Sequence, residues 1–166
     1  LFLTPHSSSD LKKGKFNTAE DAFNRLNPEA SLSLYKKILS DNSIKPEVRS
    51  DALEKISYIY SRFYNLNDSA LQYSLKNLNS AHHYCLASVY LSQKGKFEDA
   101  IGLCNKSLGL SVNKSDSIES YDTFIDLTFK YSENNLQNQI PVDNSHLRKA
   151  REYLSYRYRF EPESTT

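Results

Sequence analysis

A pattern of side chains recurs about thirty residues apart in the middle of the chain. The first copy runs from Ile56 to Leu78 and the second from Leu86 to Leu108. In both copies large, small and aromatic side chains return in the same order and at the same offsets. Repeats of roughly 20–50 residues are typical of stacked units, each of which buries its apolar face only against its neighbours. The repeat therefore predicts an array of small packed units.

The composition limits both the type of secondary structure in each repeat and the kinds of function that the chain can have. The chain has 166 residues, enough for one domain with a real core, and its 4 Gly and 5 Pro are too few for the frequent turns of an all-β protein. Its formal charge of +1 gives no long-range field toward nucleic acid or an anionic membrane. No apolar run approaches the ~18 residues that span a bilayer, so no membrane insertion is expected.

The periodicity of apolar residues predicts eight helices and no strand, which is an all-α fold. We expect a flexible polar lead-in over 1–16, a helical domain over 17–160 and a tail over 161–166, with the longest internal loop at 134–143. The chain contains no methionine, so we expect a trimmed or processed form, for which an intracellular site is favoured and an organellar one is compatible. The predicted helices begin near Asn17, Pro28, Pro46, Asn67, Asn79-Ser80, Phe97, Ser115-Asp116 and Asn144-Ser145.

The second copy of the pattern resembles the tetratricopeptide (TPR) motif, through Leu86-Ala87, Tyr90, Phe97 and Ala100. The resemblance implies three to four antiparallel helical hairpins stacked as a short α-solenoid. The central units are shorter than the usual period of about 34 residues, which leaves an irregular helical bundle as the alternative. The positions implied to pack within and between hairpins are Ile56, Ser57, Tyr60, Ala70, Leu86, Ala87, Tyr90, Phe97 and Ala100.

The same resemblance implies a concave groove that binds a partner. In the family the first helix of each hairpin lines this groove, and transfer by position gives Glu54, Tyr58 and Arg62, then Tyr84, Ser88 and Leu91, then Asp122, Ile125 and Phe129. Such a groove suits a peptide or helix with an apolar anchor and a basic flank. Chaperone tails are not expected as partners, because Glu54, Tyr84 and Cys85 stand where the family builds its carboxylate clamp.

Residue patterns for catalysis, cofactors or metals are weak. His82, His83 and Cys85 are close in sequence, but His83 points about 100° away from His82 on a helix, and no second pair of ligands has zinc-site spacing. Cys85 and Cys104 are expected to be buried thiols. No Gly-rich loop is present to hold phosphates. We therefore expect no enzyme activity, no cofactor and no metal.

These observations favour a scaffold or adaptor that binds proteins as one subunit of a complex. One alternative is an RNA-binding helical-repeat protein, because cations and aromatic residues mix between Arg148 and Phe160. The competing interpretation of that segment is a terminal capping helix with Leu147, Ala150, Leu154 and Tyr158 on its buried face. A second alternative is a regulatory subunit of an enzyme complex. Nucleic acid is the less expected partner.

Overall fold

The computed structural model describes residues 8–142 and 144–160. Within them the chain forms helices and no strand, which confirms the all-α prediction. Contacts divide the chain into two compact units, Leu1–Asn77 and Leu78–Thr166. The helices are α1 (Ser8–Asn24), α2 (Pro28–Leu39), α3 (Pro46–Arg62), α4 (Asn67–Leu75), α5 (Ala81–Gln93), α6 (Phe97–Leu110), α7 (Lys114–Gln137) and α8 (Asn144–Phe160). None of these described helices combines the length and the apolarity that crossing a bilayer requires.

The first unit consists of two helical hairpins, α1 with α2 and α3 with α4, joined by packing of α2 on α3. Local sequence sets where α2 and α3 begin. The Asn27 side chain accepts a hydrogen bond from the backbone N–H of Ala30 at 3.1 Å, and Pro28 and Pro46 stand in the first turns of α2 and α3. The core they enclose contains Ala19, Tyr35, Ile38, Ala52, Ile56 and Ile59.

Helix α1 begins earlier than the sequence predicts. Residues 8–16, assigned to a polar lead-in, are helical from Ser8, and Gly14 lies inside the helix. The ring of Phe16 packs edge-on against that of Tyr35, with 5.6 Å between centroids. Burial of this ring favours the helix and opposes the cost of an internal glycine. Residues 1–7 of the predicted lead-in and the predicted tail 161–166 lie outside the described residues.

The second unit is built from the α5–α6 hairpin followed by α7 and α8. Helix α7 packs against both α5 and α6, and α8 packs against α7. Ser80 caps α5 by accepting a hydrogen bond from His83 N–H at 3.3 Å. Helix α7 is longer than expected, since it continues to Gln137, into the predicted loop at 134–143. Asn135 is 3% exposed, so this residue of the Asn-rich end of α7 is packed in the interior, whereas Leu136 beside it is 69% exposed.

Thiols and hydroxyls join α5, α6 and α7 in the interior of the second unit. Cys85 Sγ lies 3.1 Å from Ser107 Oγ, which lies 2.7 Å from Ser120 Oγ, and Cys104 donates to the Ser120 carbonyl at 3.4 Å. Both cysteines are free and buried, which confirms the prediction for them. The hydrogen bond with Cys85, followed by burial, raises the pKa of Cys104 above its usual value, so this residue is a neutral thiol that helps to hold the helices together.

Candidate functional site

An aromatic patch lies on the first unit where α1 and α3 meet. The ring of Phe23 contacts the ring of Tyr58 edge-on, with 5.7 Å between centroids, and lies 6.4 Å from the ring of Phe63. Tyr58 is 43% exposed and Phe63 is 39% exposed. We call Phe23, Tyr58 and Phe63 the α3 patch. Exposed aromatic rings held by one another are side chains of the kind that anchor bound proteins.

Charged groups of both signs surround the α3 patch. Lys55 Nζ lies 4.8 Å from the centroid of the Phe23 ring and 3.2 Å from Glu20 Oε1. Two of the predicted groove residues are on the same helix, with Glu54 half-buried and Arg62 exposed. The structure therefore brings Tyr58 together with an apolar neighbour and a mixed charged border on one unit.

Phe23 is absent from the residues that the sequence predicts for a binding surface. Its signal is the spacing of Phe16, Ala19 and Phe23, which are three and four residues apart and so lie along one side of α1. Ala19 is fully buried, so this side of α1 faces the core and places Phe23 at its edge. The signal is lost when the helix is taken to begin at Asn17.

The residues predicted on α5 divide between surface and interior. Tyr84 is half-buried, whereas Leu91 is 7% exposed and Ser88 is fully buried. The hydroxyl of Ser88 donates to the carbonyl oxygen of Cys85 at 2.7 Å, so its hydrogen bond is made within the helix. The side chains of Ser88 and Leu91 are thus part of the packing, and Tyr84 is the one of the three that reaches solvent.

The residues predicted on α7 have three different environments. Asp122 is exposed and accepts a hydrogen bond from Arg157 Nε at 2.5 Å, Ile125 is half-buried, and Phe129 is 52% exposed. The pairing of Asp122 with Arg157 on α8 neutralises one of the carboxylates of the predicted groove. Phe129 instead lines a cavity between α7 and α8.

This cavity, the α7–α8 groove, has a volume of about 410 Å³. Ala150, at its base, is 2% exposed, and Leu147 and Leu154 are half-buried. Tyr158, predicted on the buried face of α8, is 55% exposed, because α7 covers only part of that face. The described residues that line the α7–α8 groove are Phe129, Asn144, Leu147, Arg148, Ala150, Arg151 and Leu154.

Lys149, Tyr153 and Arg157 on α8 contact other side chains of the protein. Lys149 Nζ donates to Asn105 Oδ1 at 2.6 Å and lies 5.4 Å from the centroid of the Phe124 ring. The ring of Tyr153 lies 4.8 Å from that of Tyr121, and Arg157 pairs with Asp122. These contacts use groups that the RNA-binding alternative needs for stacking and for phosphates.

The two adjacent histidines make separate contacts. Nδ1 of His82 lies 2.7 Å from Glu119 Oε1 on α7, and Nδ1 of His83 lies 2.7 Å from the Ser80 hydroxyl that caps α5. Across 8–142 and 144–160 no three His, Cys, Asp or Glu side chains gather as metal ligands would. His82 therefore links α5 to α7, and His83 contacts the residue that caps the start of α5.

The positions implied by the TPR motif occupy the interiors of the two units. In the first unit Ile56, Ser57 and Ala70 are at most 1% exposed, and Tyr60 is half-buried. In the second unit Ala87 and Ala100 are fully buried and Tyr90 is 6% exposed, with Leu86 and Phe97 half-buried. Small side chains at buried positions let the two helices of a hairpin approach closely.

The fold is similar to that of MamA, a TPR-like helical-repeat protein whose crystal structure covers 93% of this chain and is itself covered over 93% of its length. The TM-score is 0.55 and the sequence identity is 14%, so the likeness concerns the fold. No protein-family model and no curated protein matches the sequence. The prediction of helical hairpins in a TPR-like α-solenoid is confirmed at the level of fold class.

Proposed function

We propose that the chain is a non-enzymatic scaffold or adaptor that binds a partner peptide or helix through the α3 patch. TPR-like folds generally mediate contacts between proteins. The observation that carries the proposal is the group of three contacting rings, of which Tyr58 and Phe63 remain well exposed. An apolar anchor of a partner that covers these rings loses contact with water at small conformational cost, because the rings already support one another.

The carboxylates on α3 specify the partner further. Asp51 and Glu54 place two carboxylates on α3, the helix that carries Tyr58. A partner with a basic residue beside its apolar anchor complements these carboxylates. On the second unit we propose a separate contact at Tyr84, because it is the predicted α5 position that reaches solvent.

Affinity capture from a native lysate tests this function. The bait is the full chain, compared with Tyr58→Ala and with a matched control, Tyr64→Ala. Tyr64 is also near the end of α3 and is 38% exposed, but its ring contacts Tyr60 and not the α3 patch. We expect one protein to be retained by the wild type and by Tyr64→Ala and to be lost by Tyr58→Ala.

The captured protein is then purified and titrated calorimetrically against each variant, after circular dichroism has shown that the variants are folded. Loss of an aromatic anchor is expected to weaken binding by about tenfold or more. Equal affinity for the wild type and folded Tyr58→Ala would remove the α3 patch from the binding surface. Retention of RNA in place of protein would instead support the RNA-binding alternative.

A further inference from the structure

In the second unit, the helix that follows a hairpin packs against that hairpin. Helix α7 comes directly after the α5–α6 hairpin and packs against both of its helices. By analogy with that hairpin, the next pair of helices, α7 and α8, would present such a surface at the α7–α8 groove. Its apolar floor is open, since Phe129 is 52% exposed and Leu147 and Leu154 are half-buried. By this geometry the groove has the form that a further helix would fill.

The charges at the α7–α8 groove indicate which helix would fit. Arg148 and Arg151 are exposed and line the groove three residues apart on α8. Neither guanidinium forms an ion pair with a described residue, in contrast to Arg157, which pairs with Asp122. On the facing helix Asp126 is paired with Lys130 at 2.7 Å. The two charged residues that line the groove are therefore both arginines, although the exposed Glu133 lies one turn after Phe129 on α7. Guanidinium groups pair well with carboxylates.

A second copy of this chain complements the groove poorly. In a dimer with two-fold symmetry the same surface faces itself, so a groove whose charged lining residues are both arginines would meet a lining that offers no carboxylate. Like charges brought together at an interface oppose association. Charge complementarity thus favours a different protein as the occupant.

We propose that the α7–α8 groove binds an amphipathic helix of an acidic partner protein. Apolar side chains of that helix enter the cavity between Phe129 and Leu154, and its Asp or Glu residues pair with Arg148 and Arg151. The proposal rests on the proposed protein-binding function, but it uses a different surface from the α3 patch and a partner of opposite charge. Under this proposal the α7–α8 pair binds a partner in addition to capping the helical repeat.

The test is a selection from a displayed library of helical peptides of about 18 residues, about the length of α8. The apolar face of the library is fixed as leucine, and the flanking positions are randomised. We expect wild-type protein to enrich Asp and Glu at the flanks. The double variant Arg148→Glu/Arg151→Glu is expected to enrich Lys and Arg instead. Failure to select binders, or the same flanks from both proteins, would overturn the proposal.

A second pair of variants locates the selected peptide. Phe129→Ala is expected to weaken its binding by about tenfold or more, because Phe129 lines the cavity. Leu136→Ala is the matched control on α7, since Leu136 is 69% exposed and does not line the cavity, and it should bind like the wild type. Equal loss in both variants, or in neither, would show that the peptide binds elsewhere.

Two other outcomes assign the groove differently and would also overturn the proposal. Dimerisation seen by light scattering and abolished by Phe129→Ala would assign it to a second copy. Binding of single-stranded oligouridine that the arginine reversals abolish would assign it to RNA. If the library selects no acidic helix while Tyr58→Ala still loses a captured protein, this inference fails and the proposed function stands. If no protein is captured by either surface, the proposed function itself fails.

Discussion

Tyr35, in the core of the first unit, buries a polar hydroxyl group along with its ring. It is fully buried, and its hydroxyl has no hydrogen-bond partner among the described residues. Burial, and after it the negative charges of Glu20 and Asp51, raise the pKa of Tyr35 above its usual value. The ring fills the core, while the hydroxyl is desolvated without compensation.

Replacement of Tyr35 by phenylalanine is therefore expected to stabilise the protein. Removing an unsatisfied buried hydroxyl while keeping the ring should raise the free energy of unfolding by about 1 kcal/mol, measured by urea denaturation at neutral pH. A fall in that free energy would show that the hydroxyl has a partner.

The same residue predicts a dependence on pH. The pKa of Tyr35 is raised in the folded state, so its contribution is fully present below the unfolded pKa of about 10 and is lost as the pH rises above it. Wild-type protein should therefore lose more stability than Tyr35→Phe when urea unfolding is repeated above about pH 10. Parallel losses in the two proteins would contradict the raised pKa.

At the scale of elements, three described helices end in the same left-handed turn. A fourth, α3, is followed by Asn65 at φ 52°, and there the N–H of Leu66 bonds to the Tyr60 carbonyl at 2.9 Å. Helix α1 ends with Leu26 at φ 55°, α5 with Gly95 at φ 72° and α7 with Gln139 at φ 58°. In each case the next residue's N–H bonds back to a carbonyl of the last turn, as Lys96 does to Leu91 at 3.0 Å. The sequence predicts the turn at Gly95, because glycine enters this conformation without strain, but Leu26 and Gln139 carry no such signal.

Gly95→Ala is expected to lower the free energy of unfolding by about 1 kcal/mol, because alanine is strained at positive φ. Gly102→Ala is the matched control inside α6, where an added Cβ meets no atom within 4 Å. This control should stabilise the protein by up to about 1 kcal/mol through its higher helix propensity. Equal changes in the two variants, measured by thermal unfolding, would contradict the assigned turn.

Helix bounds that the sequence misses are those set by packing. The segment from Asn134 to Asn138 has residues of low helix propensity, which predicts a loop. In the structure Asn135 is 3% exposed, and the helix continues to Gln137. Likewise α1 extends back to Ser8. Within this extension the ring of Phe16 packs against the ring of Tyr35, which is distant in sequence. Local sequence carries propensity and caps, whereas these contacts depend on the fold.

At the scale of the molecule, the repeat predicts the class of fold and part of the candidate surface. The buried alanines follow from one short periodic pattern, and the exposed Tyr58 follows from the groove position that the TPR resemblance implies. The partner of Tyr58, Phe23, comes from another helix, and the burial of Ser88 depends on how α5 packs. A one-dimensional pattern indicates which side of a helix is apolar, but it does not determine how far neighbouring helices cover that side.

The central claim is that the α3 patch contacts a partner protein, and site-specific photo-crosslinking tests it most directly. Benzoylphenylalanine is introduced in place of Tyr58 and, as a control, in place of Leu75, which is equally exposed at 43% and lies on α4. After irradiation in the native lysate, the account predicts a discrete protein adduct from position 58 that is absent from position 75. No adduct from position 58, or the same adducts from both positions, would contradict it.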